Sequence, residues 1–323
     1  MSLSKIKIMK NIFIIFYIVS ISSFAFSQKQ NKIQIIDYRT KKPVSFVTIF
    51  DKQSNKGFYC DENGYFLSGK ITTDTIILSC IGYELLNISK NDMIKQDKIN
   101  MYPKVYNINE IVISPDKKQR IKKYSGFSKC KPALSISNTQ GAVFATLINN
   151  PNNINSIISE IIIPTRNNNH LSKKENILNG FFRIHLYSVN EKDSSPNKEL
   201  LNENLTFNFS DFNKKNKIGI STRNVIKINI SEYNIMMPRD GIFVGIEWLG
   251  DNLIENTKKR STWQPFVCFT KDTDQCFTWT KDELTNNKWE LVDKEDKWNI
   301  YKDGVINAMF GIKIKPNGKH PRW

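Results

Sequence analysis

Glu247 is the residue whose type and setting most invite chemistry. It lies in the run Gly241 to Trp248, where every other side chain is apolar or absent. Successive side chains of an extended strand alternate between faces. Ile242, Val244, Ile246 and Trp248 therefore share one face, and Phe243, Gly245 and Glu247 the other. A carboxylate among apolar neighbours is a candidate general acid or base, because burial shifts its proton affinity. The run Phe181 to Tyr187 supplies companions. Phe182, Ile184 and Leu186 fall on one face, and Arg183 and His185 on the other. Arg183, His185 and Glu247 thus form a candidate ligand-contact or acid/base group. The plainer reading is a structural ion pair or a solvent-facing residue, since alternating strands normally carry polar side chains outward.

A second group of candidates is aromatic. Trp248, Trp263, Trp279, Trp289 and Trp298 lie in the later part of the chain. Exposed indoles on a β-sheet stack on sugar rings, which makes Trp263 and Trp279 candidate ligand-surface residues; core packing is the competing role of such side chains. Asp272, Asp274 and Asp303 lack any calcium-loop spacing. The five cysteines include no CxxC pair and the three histidines are scattered, so no zinc site is expected. Cys268 and Cys276 flank a polar stretch and could face each other across a hairpin as a disulfide. No GxSxG elbow, HExxH helix, GxGxxG turn or phosphate-binding loop is present. No catalytic residue, metal ligand or cofactor is assigned from the sequence.

These residues need a scaffold and a compartment. Lys5, Lys7 and Lys10 precede the apolar run Ile12 to Ile21, and Ala25 and Ser27 occupy the −3 and −1 places before Gln28. That is the layout of a cleaved secretory signal over residues 1–27, with a retained anchor as the alternative. The run is short for a membrane span, and no later segment approaches the length of one. The mature chain is expected to have no transmembrane segment and to be exported, to the periplasm, the outer membrane or the cell surface. The net charge of +16 is spread along the chain rather than clustered, and no nucleic-acid motif accompanies it. Nucleic acid is therefore not an expected partner.

Residues 28–115 alternate short β-rich runs with turns. Lys32 to Asp37 and Val44 to Phe50 flank a turn ending in Pro43. Asp61-Glu62-Asn63-Gly64 separates Gly57–Cys60 from Tyr65–Leu67, and Asn-Gly is a strong hairpin signal. Thr75 to Ser79 and Ile108 to Ile113 complete an expected antiparallel sandwich. The order of the pieces resembles a known family. Asp37-Tyr38-Arg39-Thr40 with Pro43-Val44, the Asp61-to-Phe66 hairpin, Ile76 to Ser79 followed by Gly82-Tyr83, and Asn109 to Ile113 are together similar to the carboxypeptidase-like regulatory module of Bacteroidetes envelope proteins. Lys41 departs from the pattern, which commonly has glycine there. The resemblance implies a small transthyretin-like sandwich without catalytic residues, appended to another domain.

Residues 116–135 begin with a basic run (Asp116 to Lys123) and read as a linker. Residues 136–323 hold ten candidate strands separated by Gly, Asn, Asp and Pro, which fits a larger jelly-roll-like sandwich. The fold class is thus all-β, a small transthyretin-like sandwich followed by a larger one. The expected function is a non-enzymatic binding or structural protein of the cell envelope, with an envelope protein or a glycan as partner. The alternatives are a carbohydrate-binding or glycan-processing accessory, and an envelope hydrolase using Glu247.

Overall fold

β-branched and aromatic residues in alternation, cut by Gly, Asn and Pro, leave the chain little option but sheets. The computed structural model describes residues 32–105, 123–136, 139–151, 156–166, 180–212, 223–250, 266–285, 288–292 and 305–316. It is a mostly-strand chain, and its one α-helix among the described residues is the five-residue α1, Lys90–Ile94. The small first sandwich and the larger second one are both present.

The first domain has seven described strands: β1 (Lys32–Asp37), β2 (Thr48–Asp51), β3 (Lys56–Tyr59), β4 (Tyr65–Leu67), β5 (Thr75–Ser79), β6 (Leu86–Ser89) and β7 (Lys98–Met101). They form two sheets, ordered β4-β1-β7 and β3-β2-β5-β6. Ile33, Ile35, Val47, Ile49, Ile76, Leu78 and Met101 fill the space between them. The Asn63-Gly64 turn forms as expected. Gly64 takes a positive φ of 75°, and a Cβ there would lie 2.5 Å from the Ile35 carbonyl oxygen, so only glycine fits. Lys41 also takes a positive φ, 58°, which explains why glycine suits that position. Asp37 holds the turn by accepting from the amides of Arg39 and Thr40 at 2.8 and 2.6 Å.

One sequence expectation needs correction here. The sandwich is not wholly antiparallel, because β1 pairs with β7 in parallel. The strands β6 and β7 are not among the sequence expectations: Leu86 and Ile88, and Ile99 and Met101, do alternate with polar residues, but four residues each are too few for that alternation to stand out. The expected closing strand at Ile108–Ile113 lies outside the described residues.

The second domain adds β8 (Tyr124–Gly126), β9 (Leu134–Ile136), β10 (Ala142–Ile148), β11 (Ser156–Arg166), β12 (Phe181–Val189), β13 (Pro196–Glu199), β14 (Thr206–Asn208), β15 (Arg223–Asn229), β16 (Ile242–Gly250), β17 (Phe266–Thr270), β18 (Thr278–Asp282), β19 (Glu290–Leu291), β20 (Asn307–Ala308) and β21 (Gly311–Pro316). One sheet runs β13-β12-β16-β10-β18-β19, with β14 also on β12. The other runs β20-β17-β11-β21-β8, with β15 on β11 and β9 on β17. The core between them is apolar, with Phe144, Phe182, Phe269 and Phe310 among its largest buried side chains. Strands β8 and β9 fall in the stretch read as a linker. At three residues each they are too short for any period to mark them, and pairing with β21 and β17 is what makes them strands.

The expected Cys268–Cys276 hairpin is not formed. Cys268 sits on β17, in one sheet, while Cys276 precedes β18, in the other. No disulfide joins them. The segment between them crosses from sheet to sheet.

Candidate functional site

The strand parity that faces Phe182, Ile184 and Leu186 into the core puts Arg183, His185 and Tyr187 on the outer face of the sheet. Antiparallel register then sets Arg183 directly opposite Glu247, and His185 opposite Gly245. Gly245 supplies room: a Cβ there would lie 3.2 Å from His185 Cβ. The three polar candidates of the sequence are therefore brought together.

Their contacts are close and complete at the carboxylate. Arg183 Nη1 donates to Glu247 Oε2 at 3.0 Å. His185 Nε2 lies 2.9 Å from the same oxygen. The other oxygen, Oε1, accepts from the Tyr59 hydroxyl, and Tyr59 belongs to β3 of the first domain. Arg183 Nη2 in turn donates to the carbonyl of Phe46, also in the first domain. On its far side, His185 Nδ1 lies 2.8 Å from Glu199 Oε2 on β13. Glu199 Oε1 accepts from the amides of Leu186 and Leu201.

The group is thus a bridge between the two domains, on a face that the first domain covers. Phe46 and Tyr59 pack with Leu249, Leu284 and Phe181 around it, and the rings of Phe46 and Phe181 lie 4.8 Å apart. Gly57 donates its amide to the Leu284 carbonyl at 2.7 Å, and Asn204 Nδ2 donates to the Ser45 carbonyl at 2.9 Å. At the margin, a Cβ on Gly82 would stand 2.4 Å from the Asn202 carbonyl oxygen.

Charge balance follows from this geometry. Burial works to raise the Glu247 carboxyl, but the Arg183 guanidinium and the donors His185 and Tyr59 outweigh it and bring it down to about 2. Burial works against a charged His185, yet hydrogen bonds to Glu199 and Glu247 hold its pKa above the ordinary value. A neutral imidazole has one N–H, and both nitrogens here face a carboxylate, so the imidazolium is the form that suits the site. Burial and the Glu247 charge push the Tyr59 hydroxyl well up, which keeps it a donor. Two cations and two anions then balance.

The arrangement offers little to a reacting molecule. Glu247 is fully buried, its oxygens engaged by three donors. An ionised carboxylate with a pKa near 2 has no proton to donate at neutral pH and accepts one weakly.

The aromatic candidates separate. Trp248 is buried in the core. Trp279 and Trp289 are half-buried and pack on the outer face against Ala145, Tyr187 and Phe243. Trp263 and Trp298 lie outside the described residues, as does Asp303. Asp272 accepts from the Lys131 amide at 2.9 Å. No group of His, Cys, Asp and Glu suited to a metal occurs among the described residues. Two members of the buried network, Tyr59 and Glu199, were missed by sequence reasoning. Tyr59 sits in an ordinary strand of another domain, and Glu199 looks like a surface charge in Pro196–Leu201.

Comparison with known families now identifies the covering domain. A family model described as CarboxypepD_reg-like domain matches residues 34–113. The first domain is a carboxypeptidase-like regulatory domain. The match covers about a quarter of the chain and leaves the second sandwich outside it. No curated protein and no solved structure matches the chain. The regulatory-like domain contributes Tyr59 and the Phe46 carbonyl to the bridge. Among the described residues, no helix is long and apolar enough to cross a membrane.

Proposed function

We propose that the chain is an exported, non-enzymatic binding or structural protein of the cell envelope, in which the regulatory-like domain is docked on the second sandwich as one rigid support. The observation that carries this reading is the Glu247 carboxylate. It is buried, ionised, and bonded at once to Tyr59 of one domain and to Arg183 and His185 of the other. Its chemistry is committed to joining two domains. Export is supported by the charged start, short apolar run and small residues that precede Gln28.

The test has two parts. N-terminal sequencing of the protein from fractionated cells is expected to begin at Gln28, in the envelope fraction; an intact Met1 in the cytosol overturns export. Crosslinking in intact cells is expected to capture an envelope partner. Hydrolase activity lost in Glu247→Gln, with folding intact, overturns the non-enzymatic reading.

A second reading, a carbohydrate-binding protein, is favoured by one observation. Two indoles, Trp279 and Trp289, are only partly buried on the part of the sheet's outer face beyond the interdomain bridge.

A further inference from the structure

Beyond the interdomain bridge, the outer face of the same sheet changes character. Cross-strand register places His185, Gly245, Ala145, Trp279 and Leu291 in one row, and Tyr187 opposite Phe243 in the next. Gly245 and Ala145 are small and buried, so the rings around them cover the middle of the first row. Tyr187 leans over it: a Cβ on Gly245 would come 3.4 Å from Tyr187 Cε2. The Trp289 ring meets Tyr187 edge-on, with centroids 5.2 Å apart. Lys281 stands 4.7 Å from the Trp289 centroid and is paired with Glu283 at 2.5 Å.

Three properties of this cluster point to a ligand. Both indoles keep part of their surface outward, although large aromatics gain by full burial. The Tyr187 hydroxyl is buried and has no hydrogen-bond partner among the described residues, and leaving such a group unsatisfied is costly. The charges beside it cancel, Lys281 against Glu283, so the patch offers donors and acceptors without net charge. A polyanion gains nothing from a neutral patch, whereas a sugar ring has apolar C–H faces for an indole and hydroxyls for a Lys–Glu pair.

We propose that Trp279, Trp289, Tyr187 and the Lys281–Glu283 pair form a binding site for an uncharged sugar residue of an oligosaccharide. The site rests on the carbohydrate-binding reading and names its place and ligand class. The indoles supply the stacking surface. Lys281 and Glu283 donate to and accept from ring hydroxyls. The Tyr187 hydroxyl gains its missing partner from the sugar or from a water the sugar holds in place.

The full mature chain is titrated with cellohexaose, laminarihexaose, maltohexaose and chitohexaose, followed by tryptophan emission and by calorimetry. At least one is expected to bind saturably and independently of salt. Trp279→Ala and Trp289→Ala are each expected to weaken it about tenfold or more, the scale of losing a Trp anchor. Tyr187→Phe keeps the ring, removes only the hydroxyl, and is expected to weaken binding several-fold with an unchanged melting curve. Flat titrations with all four sugars overturn the site. So does equal affinity in the folded Trp279→Ala/Trp289→Ala double variant, or binding confined to a sulfated glycan and abolished by salt. Tyr59→Phe, in the interdomain bridge, is expected to bind sugar normally, so a failure of docking and a failure of this site read out separately.

Discussion

At the scale of single residues, the bridge makes unequal demands on its members. Glu247→Gln removes the anion that faces Arg183, and a buried guanidinium left without its carboxylate costs about 3–5 kcal/mol. Tyr59→Phe removes one hydrogen bond to a charged group and is expected to cost about 1.5–3 kcal/mol. Urea denaturation of both variants checks the order, and equal losses would contradict it. His185 gives the pH dependence. Its folded pKa lies above the unfolded value of 6.5, so its contribution is fully present below that value and is lost as pH rises through the raised one. Urea midpoints are expected to fall with rising pH in that window, and the slope is expected to flatten in His185→Gln. The sequence exposed part of this. Glu247 stood out as a carboxylate in an apolar strand, and parity put Arg183 and His185 on one face. Tyr59 lies 188 residues from Glu247, and no local pattern carries a contact across that distance.

At the scale of elements, the longer apolar runs bounded by turn residues were legible and the shortest strands were not. Ala142–Ile148 and Thr75–Ser79 have the bounds that their apolar runs and flanking turn residues indicate. Tyr124–Gly126 and Asn307–Ala308 exist because a neighbour offers an edge. The loop at Gly82 belongs to both domains at once. It takes a positive φ of 86° and approaches the Asn202 backbone too closely for any Cβ. Gly82→Ala is expected to destabilise the protein by about 1–3 kcal/mol, with the loss felt at the domain contact. Hydrogen exchange is the suitable measurement. Faster exchange of the Gly57 amide, bonded across the contact to Leu284, is expected in the variant, and unchanged exchange there contradicts it.

At the scale of the molecule, two cores meet through a third, smaller apolar cluster and a balanced set of charges. Coupling of this kind predicts that both domains unfold together. Calorimetry of the protein is expected to give one transition, splitting into two in a Tyr59→Phe/Glu247→Gln double variant. Two transitions in the unaltered chain would show that the domains stand independently. The parallel pairing of β1 with β7 has a consequence in time. The earliest described strand occupies the centre of its sheet, yet one partner, Lys98–Met101, leaves the ribosome about 60 residues later. A nascent chain cut short before Lys98 therefore carries β1 with one side unsatisfied. The β4-β1-β7 sheet can therefore close only after Lys98–Met101 has been made.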